Sequence, residues 1–423
     1  MKDILRKIIF MFLWISIILF IGTAILEKTQ ARSINGTRQI EIKVENQQVV
    51  VPKASPVAEA NYKFSRFYRV IKVVLMFLIP ISFIYFGIPK IILKSQKSLK
   101  EILVLFAVYS VYEFIMYLPV GIIAGFYRGK LFKSLNLNFS SWIFSNLEDF
   151  LLNFIINAIS FMVIYFVYKK FKHYYVILFL LMIPVSLFGA YVQPIVIDPL
   201  FNDFKPLQNA ELKTKIDAIC EKAGLKNVQI LQVDKSKETN YLNAYMTGVG
   251  NSRRVVLWDT TLNSLSEDEI LAVVAHEVGH YKLNHVPIGI VLQVFESLII
   301  LILVDSIGKK IYKKKVNGTN YKENAFIPIM LLIYLTIGFI TTPVDNLVSR
   351  KMEMDADRFA IECTHNNLVN GKLQAKLMET NLQVPKVDIL TKLWEYDHPT
   401  TEERIEMANS YKPWENNSYR FVK

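Results

Sequence analysis

Cysteine is almost missing: Cys220 and Cys363 are the only two in 423 residues. With no C-x-x-C pair, a disulfide framework and a thiolate zinc cluster are both excluded. Charge is also scarce, at 20% of residues against roughly 25% in ordinary soluble chains. Internal repeats and low-complexity tracts are lacking, which removes solenoid and disordered-scaffold architectures. Histidine occurs six times in all, so any clustering of it carries information.

Apolar residues make up 52% of the chain. They gather into seven runs near 7–26, 73–93, 102–126, 150–168, 174–197, 286–305 and 325–344, each of about 18 or more residues and so long enough to cross a hydrocarbon core. The chain is therefore expected to be a multi-pass membrane protein. The first run comes after Lys2, Arg6 and Lys7 like a signal peptide, but its length and the lack of a small-x-small cleavage site favour a retained helix. The net charge of +12 sits largely in short loops, where Lys and Arg orient helices and meet anionic headgroups, so the expected partner is the bilayer and not nucleic acid.

The chain divides into five regions: a first membrane helix with a polar segment (1–69), helices two to five (70–197), a polar domain (198–285), helices six and seven (286–344) and a C-terminal polar part (345–423) that could complete the domain. In the first, "RQIEIKVENQQVVV" (38–51) alternates as a short hairpin or strand would. In the third, the pattern reads helix 208–224, strands 228–234, 240–246 and 254–259, then a helix from Ser266. That is a small α+β domain inserted between spans five and six. After the last span, helices are expected at 345–364 and about 400–410.

Ser266 and Glu269 form a capping box with acidic residues in the first turn, placing "ILAVVAHEVGHYKL" on a helix. His276 and His280 are then four apart on one face, a spacing that lets two imidazoles reach one zinc at about 2.0–2.1 Å. Glu277 falls beside them. A carboxylate there can take a proton from a zinc-held water and pass it to a leaving amine, which is peptide hydrolysis. The three-residue pattern alone arises by chance in about one such chain in a hundred. Gly279 inside the helix, at a cost of about 1 kcal/mol relative to Ala, argues against chance. "RKMEMDADRFAIE" (350–362) offers the third ligand: Glu353 can face the metal while Asp357, four residues on, receives the far N–H of a ligand histidine.

In sequence order, "DPLFNDFKPL" (198–207), "NAYMTG" (243–248), "VVLWDTTL" (255–262), "HEVGHYKLNH" (276–285), "EMDADRFA" (353–360) and "HPTTEER" (398–404) resemble the type 1 CAAX prenyl proteases, integral-membrane zinc metallopeptidases of the M48 type, most strongly over 194–410. The resemblance implies a mainly α fold, a seven-helix bundle enclosing a chamber and closed by a zincin-like (gluzincin) α+β domain. It implies one zinc per chain on His276, His280 and Glu353, with Glu277 as the base. It further places Asn243 on an edge strand that holds extended substrate backbone, and gives His398 and Arg404 the task of positioning or stabilising the reacting carbonyl. His285 and His365 are read as structural. The implied substrate is a peptide or protein, with or without a lipid modification, and nothing in the chain identifies a prenyl group as ligand. The alternatives are a quality-control protease for membrane proteins and, from another class, a transporter or scaffold with structural zinc.

Glu113, Glu296, Asn153, Asn157 and Gln293 lie inside the apolar runs, where they face either a water-filled interior or a partner helix, not lipid. Lys and Arg number sixteen in the N-terminal flank and the second, fourth and sixth loops, against three in the third loop. That bias predicts a cytoplasmic N-terminus and an outward-facing zinc domain in the cell membrane, whereas the family resemblance implies a cytosolic catalytic side.

Overall fold

The computed structural model describes residues 2–93, 99–316 and 327–422. Its helices, in chain order, are α1 (Lys2–Ile34), α2 (Pro56–Tyr85), α3 (Ile88–Ile92), α4 (Leu99–Val120), α5 (Arg128–Leu131), α6 (Phe139–Lys170), α7 (Tyr174–Leu187), α8 (Gln193–Val196) and α9 (Asp198–Phe201), followed by α10 (Ala210–Lys222), α11 (Asp259–Ser264), α12 (Glu267–Lys282), α13 (His285–Val316), α14 (Ile327–Thr364), α15 (Asn367–Thr380), α16 (Ile389–Glu395) and α17 (Thr401–Ser410).

Seven of the described helical segments are long and apolar enough to cross a membrane. Little of their surface is covered by other helices, and Phe20, Ile155, Leu180, Val185 and Phe295 point outward as lipid-facing side chains should. Pro119 and Pro184 each lie shortly before a π-helical turn, at Gly121–Tyr127 and Phe188–Val192. Proline cannot donate to the i−4 carbonyl, and a wider turn accommodates the break.

Several boundaries differ from the sequence reading, two of them with a clear physical reason. The second span starts at Pro56, capped by the Ser55 side chain, so a polar first half precedes the apolar run expected at 73–93. The seventh span and the helix expected at 345–364 are one 38-residue helix, α14. A hydropathy window ends where charge begins, but helical hydrogen bonding continues through it.

The polar domain carries a four-stranded sheet in the order β3-β4-β6-β5, with β3 (Phe204–Pro206), β4 (Gln229–Val233), β5 (Ala244–Thr247) and β6 (Arg254–Trp258). β4 and β6 run parallel and the other pairs antiparallel, which leaves β5 as an edge. Its core joins Ile216 and Ile219 of α10, Val255 and Leu257 of β6, Val274, Ala275 and Val278 of α12, and Phe359 and Ala360 of α14.

The hairpin suggested by residues 38–51 exists as β1 (Val44–Glu45) and β2 (Gln48–Val49), turning through Asn46 and Gln47, both at positive φ. It packs on the C-terminal helices: Val49 is buried with Ala375 and Ile405, and its N–H and C=O pair with the Asn409 side chain at 2.9 Å each. Asn136 in the third loop donates its N–H to Glu238 O at 2.9 Å. Both loops therefore lie on the side of the polar domain, and the alternation of spans puts Lys2 on the opposite side. Residues 94–98 and 317–326, which hold some of the lysines counted in the second and sixth loops, lie outside the described residues.

Candidate metal centre and active site

α12 starts as its residues dictate, with Ser266 and Glu269 forming a reciprocal capping box. It crosses α14 closely, and Gly279 sets the approach: a Cβ there would lie 3.1 Å from Phe359 Cβ, Cγ and Cδ1. A side chain at this position would press on Phe359 in the crossing of the two helices.

His276 Nε2 and His280 Nε2 are 3.1 Å apart. Glu353 completes a triangle, with Oε2 at 3.3 Å from His276 Nε2 and Oε1 at 3.2 Å from His280 Nε2. Ligand atoms at about 2.0–2.1 Å from a tetrahedral ion lie about 3.3 Å apart, so these separations suit one small cation with a fourth position open. Glu353 Oε2 is buried and has no hydrogen-bond partner among the described residues, a cost that a cation removes. Burial opposes protonation of His276, but the Asp357 and Glu353 carboxylates outweigh it and lift the imidazole to about 10. The pocket thus attracts positive charge, and two imidazoles with one carboxylate fit the metal that the sequence motif calls for.

Behind the triangle each imidazole meets a second group. Asp357 Oδ1 lies 2.9 Å from His276 Nδ1, and Arg404 grips that carboxylate through Nε to Oδ2 at 2.8 Å and Nη2 to Oδ1 at 2.5 Å. His280 Nδ1 lies 3.0 Å from Nδ1 of His285, the buried first residue of α13. The sequence reads His285 only as structural. Its five-residue offset from His280 spans a helix break at Asn284, which has positive φ, and no fixed spacing announces a contact across such a turn.

Glu277 shares a cavity of about 340 Å³ with His276, Asp357, His398, Arg404, Asn243 and Ala244. Burial raises its carboxyl above the ordinary value, with His276 and His280 pulling it back. His398 Nε2 reaches Glu353 Oε2 at 3.3 Å, and its Nδ1 lies 2.8 Å from Asp397 Oδ1. Burial lowers its proton affinity, yet the Asp397 and Glu353 carboxylates leave it raised. Asn243 is exposed just before edge strand β5. Its backbone N–H goes to Thr261 Oγ1 at 2.9 Å and its carbonyl accepts from Thr261 Oγ1 at 2.8 Å, while its Oδ1 accepts the Ala244 N–H. Among the described residues the amide Nδ2 has no partner and is the donor left to the cavity. Of the eight site residues read from the sequence, six line this cavity, and His280 and Glu353 adjoin it through His276. Arg404 faces that pocket but directs its hydrogen bonds to Asp357.

The chain matches the model of peptidase family M48 over residues 206–412 and that of the CAAX prenyl protease N-terminal region, five membrane helices, over 39–203. A Bacillus subtilis protein named uncharacterized metalloprotease YhfN is 37% identical over 64% of this chain and 64% of its own. CAAX prenyl protease 1 of Saccharomyces cerevisiae is 29% identical over 68% of this chain and 67% of its own. The chain spans about two thirds or less of the length of these curated relatives. The crystal structure of S. mikatae Ste24p shares the fold, with a TM-score of 0.72 and 24% identity over 95% of this chain and 99% of that one. Two adjoining family models, one over five membrane helices and one over the polar domain, together span residues 39–412 and establish that this chain belongs to peptidase family M48, with the N-terminal region of the CAAX prenyl proteases.

Proposed function

We propose that the chain is a membrane-embedded zinc metalloendopeptidase that hydrolyses peptide bonds, similar to CAAX prenyl protease 1. The observation that carries this reading is the convergence of His276, His280 and Glu353 on one point, with Glu277 lining the same cavity. A structural zinc site is closed by four protein ligands, and three ligands beside a carboxylate leave a reactive position, which disfavours a transporter or scaffold. When bound on His276, His280 and Glu353, one zinc supplies Lewis acidity to a water and to the scissile carbonyl.

In this reading each protein group has its own task. Glu277 takes a proton from the attacking water and delivers it to the leaving amine; its raised proton affinity suits both steps. Asp357 orients the His276 ring, and Arg404 fixes Asp357, so Arg404 acts as a positioning residue. His398, held by Asp397, donates to the oxygen on which charge develops. Substrate lies extended along β5, with the Asn243 amide donating to it.

The relatives' name puts prenylated C-terminal peptides first among candidate substrates, and matched prenylated and unmodified peptides assayed beside unfolded membrane proteins separate this from a quality-control role. The excess of Lys and Arg on the side of Lys2 favours a zinc domain outside the cell membrane. A reporter fused after Lys423 tests it, and cytoplasmic reporter activity would reverse the assignment.

The central test measures zinc per chain and peptide cleavage for wild type and Glu277→Gln in detergent, with 1,10-phenanthroline as control. Both should hold about one zinc and only wild type should cleave. Equal cleavage by the variant would remove Glu277 as the base, and protein prepared without chelator that holds no zinc would remove the metallopeptidase reading.

A further inference from the structure

α16 has only seven residues, so its final carbonyls need donors from elsewhere. α14 supplies them. Asn346 Nδ2 donates to Leu393 O at 2.9 Å, and Arg350 Nη1 donates to Lys392 O at 2.9 Å and also to Tyr396 O. In return Trp394 Nε1 donates to Phe339 O at 3.0 Å. Phe339, Asn346, Arg350, Glu353 and Asp357 succeed one another at intervals of seven, four, three and four residues, so they share one face of α14. The face that carries the metal carboxylate also holds the end of α16.

Just beyond the end of α16 lies the pair Asp397–His398. Arg350 is buried one turn before Glu353, and the carbonyl it grips belongs to Tyr396, two residues before His398. At the other end of this short link, His398 Nε2 sits 3.3 Å from Glu353 Oε2. Asp397 and His398 are both exposed and their mutual contact moves with them, so the pair is held from its two ends, by Arg350 at Tyr396 and by the buried Pro399 and the Thr400 cap of α17. α16 is braced from its far side by ion pairs of Arg66 with Asp388 and Arg69 with Glu395, both arginines belonging to α2.

We propose that Arg350 is a positioning residue for His398: by joining two carbonyls at the end of α16 to the helix that carries Glu353, it sets where the imidazole stands over the open position of the site. This rests on the peptidase reading and on the role given there to His398. The planar guanidinium suits two carbonyls approached from one side, whereas a lysine ammonium places its donors differently.

The test is a double-mutant cycle on the full chain in detergent: wild type, Arg350→Met, His398→Ala and the double variant, with Arg350→Lys as the conservative change. Zinc content, thermal midpoint, kcat and KM are measured for each. Arg350→Met should keep its zinc and lower kcat/KM about 30-fold, mainly in kcat, as loss of a supporting residue does. Arg350→Lys should recover part of the loss. In the His398→Ala background the same Arg350→Met change should alter kcat/KM less than about twofold, because its effect passes through the missing imidazole.

An equal loss in both backgrounds, no loss in wild type, or zinc lost from Arg350→Met would overturn the proposal. If Arg350→Met does not assemble, the cycle is run with Asn346→Ala and Arg350→Lys, which shorten or weaken the same link. Full activity in His398→Ala, with Glu277→Gln inactive, would remove the role of His398 and this proposal with it while leaving the metallopeptidase reading intact.

Discussion

Arg404 holds Asp357 by two parallel hydrogen bonds, Nε to Oδ2 at 2.8 Å and Nη2 to Oδ1 at 2.5 Å, and Asp357 Oδ1 in turn lies 2.9 Å from His276 Nδ1. A guanidinium on α17 is thereby linked through a carboxylate on α14 to a histidine on α12. Asp357→Asn keeps the shape but removes the charge shared between Arg404 and His276. It should lower zinc affinity by about 10–100-fold, measured by competition with a chelator of known affinity. Unchanged affinity would show that His276 needs no outer partner.

Gly279→Val should loosen the crossing of α12 and α14, because its side chain meets the buried Phe359 ring. A cost of about 1–3 kcal/mol is expected for overpacking of this kind. Zinc affinity should fall too, since Glu353 and the two histidines sit on opposite helices. Thermal unfolding with and without zinc measures both, and a variant as stable as wild type would mean that the crossing can widen freely.

Glu362 is fully buried at the end of α14, where its carboxylate accepts the N–H groups of Arg420, Phe421 and Val422 at 2.8 Å each and the Tyr411 hydroxyl. Phe421 packs 6.4 Å from Phe359, centroid to centroid. Glu362→Ala leaves part-buried donors unpaired, at up to about 1–3 kcal/mol apiece where water does not reach them. The segment after Tyr419 should detach and become sensitive to carboxypeptidase, whereas persistent protection would show that apolar packing alone retains it.

Asp259 receives the N–H groups of Lys235, Ser236 and Thr260, each at 2.9 Å. Burial pushes its carboxyl up, but the Ser236 contacts and the other N–H groups prevail and hold it below the ordinary range. A carboxyl lowered on folding contributes stability above its unfolded value of about 3.9 and loses it as pH falls through the folded value. The stability difference between wild type and Asp259→Asn should therefore be full at neutral pH and shrink below about pH 4. A difference independent of pH would assign the effect to shape and not to charge.

The spans and the His276–Glu277–His280 helix were legible because each rests on a local period. Hydropathy over one segment identifies a spanning helix, and a capping box with two histidines four apart defines one helical face. β4 and β6 were placed within a few residues for the same reason. β3, with three residues, was missed, and the strand expected at 240–246 begins only at Ala244, because the Tyr241 carbonyl and the Asn243 N–H go to the Thr260 and Thr261 side chains.

α15 and α16 also escaped the sequence reading. α15 has little amphipathic contrast because Val49 and Ile405 cover it from one side and the domain core from another. Its burial depends in part on the distant hairpin, whose Val49 packs with Ala375 and close to Gly371.

The sequence by itself therefore determined the membrane class, the helix that bears His276 and His280 on one face and the chemistry that such a pair can hold, since these depend on side chains at most a few turns apart. Tertiary structure alone decided that His285 backs His280, that Arg404 reaches Asp357 and that Arg350 ties the end of α16 beside Glu353. Those contacts join elements with no common period, and their distances are set by how α12, α14 and α17 cross, a result of core packing summed over the whole domain.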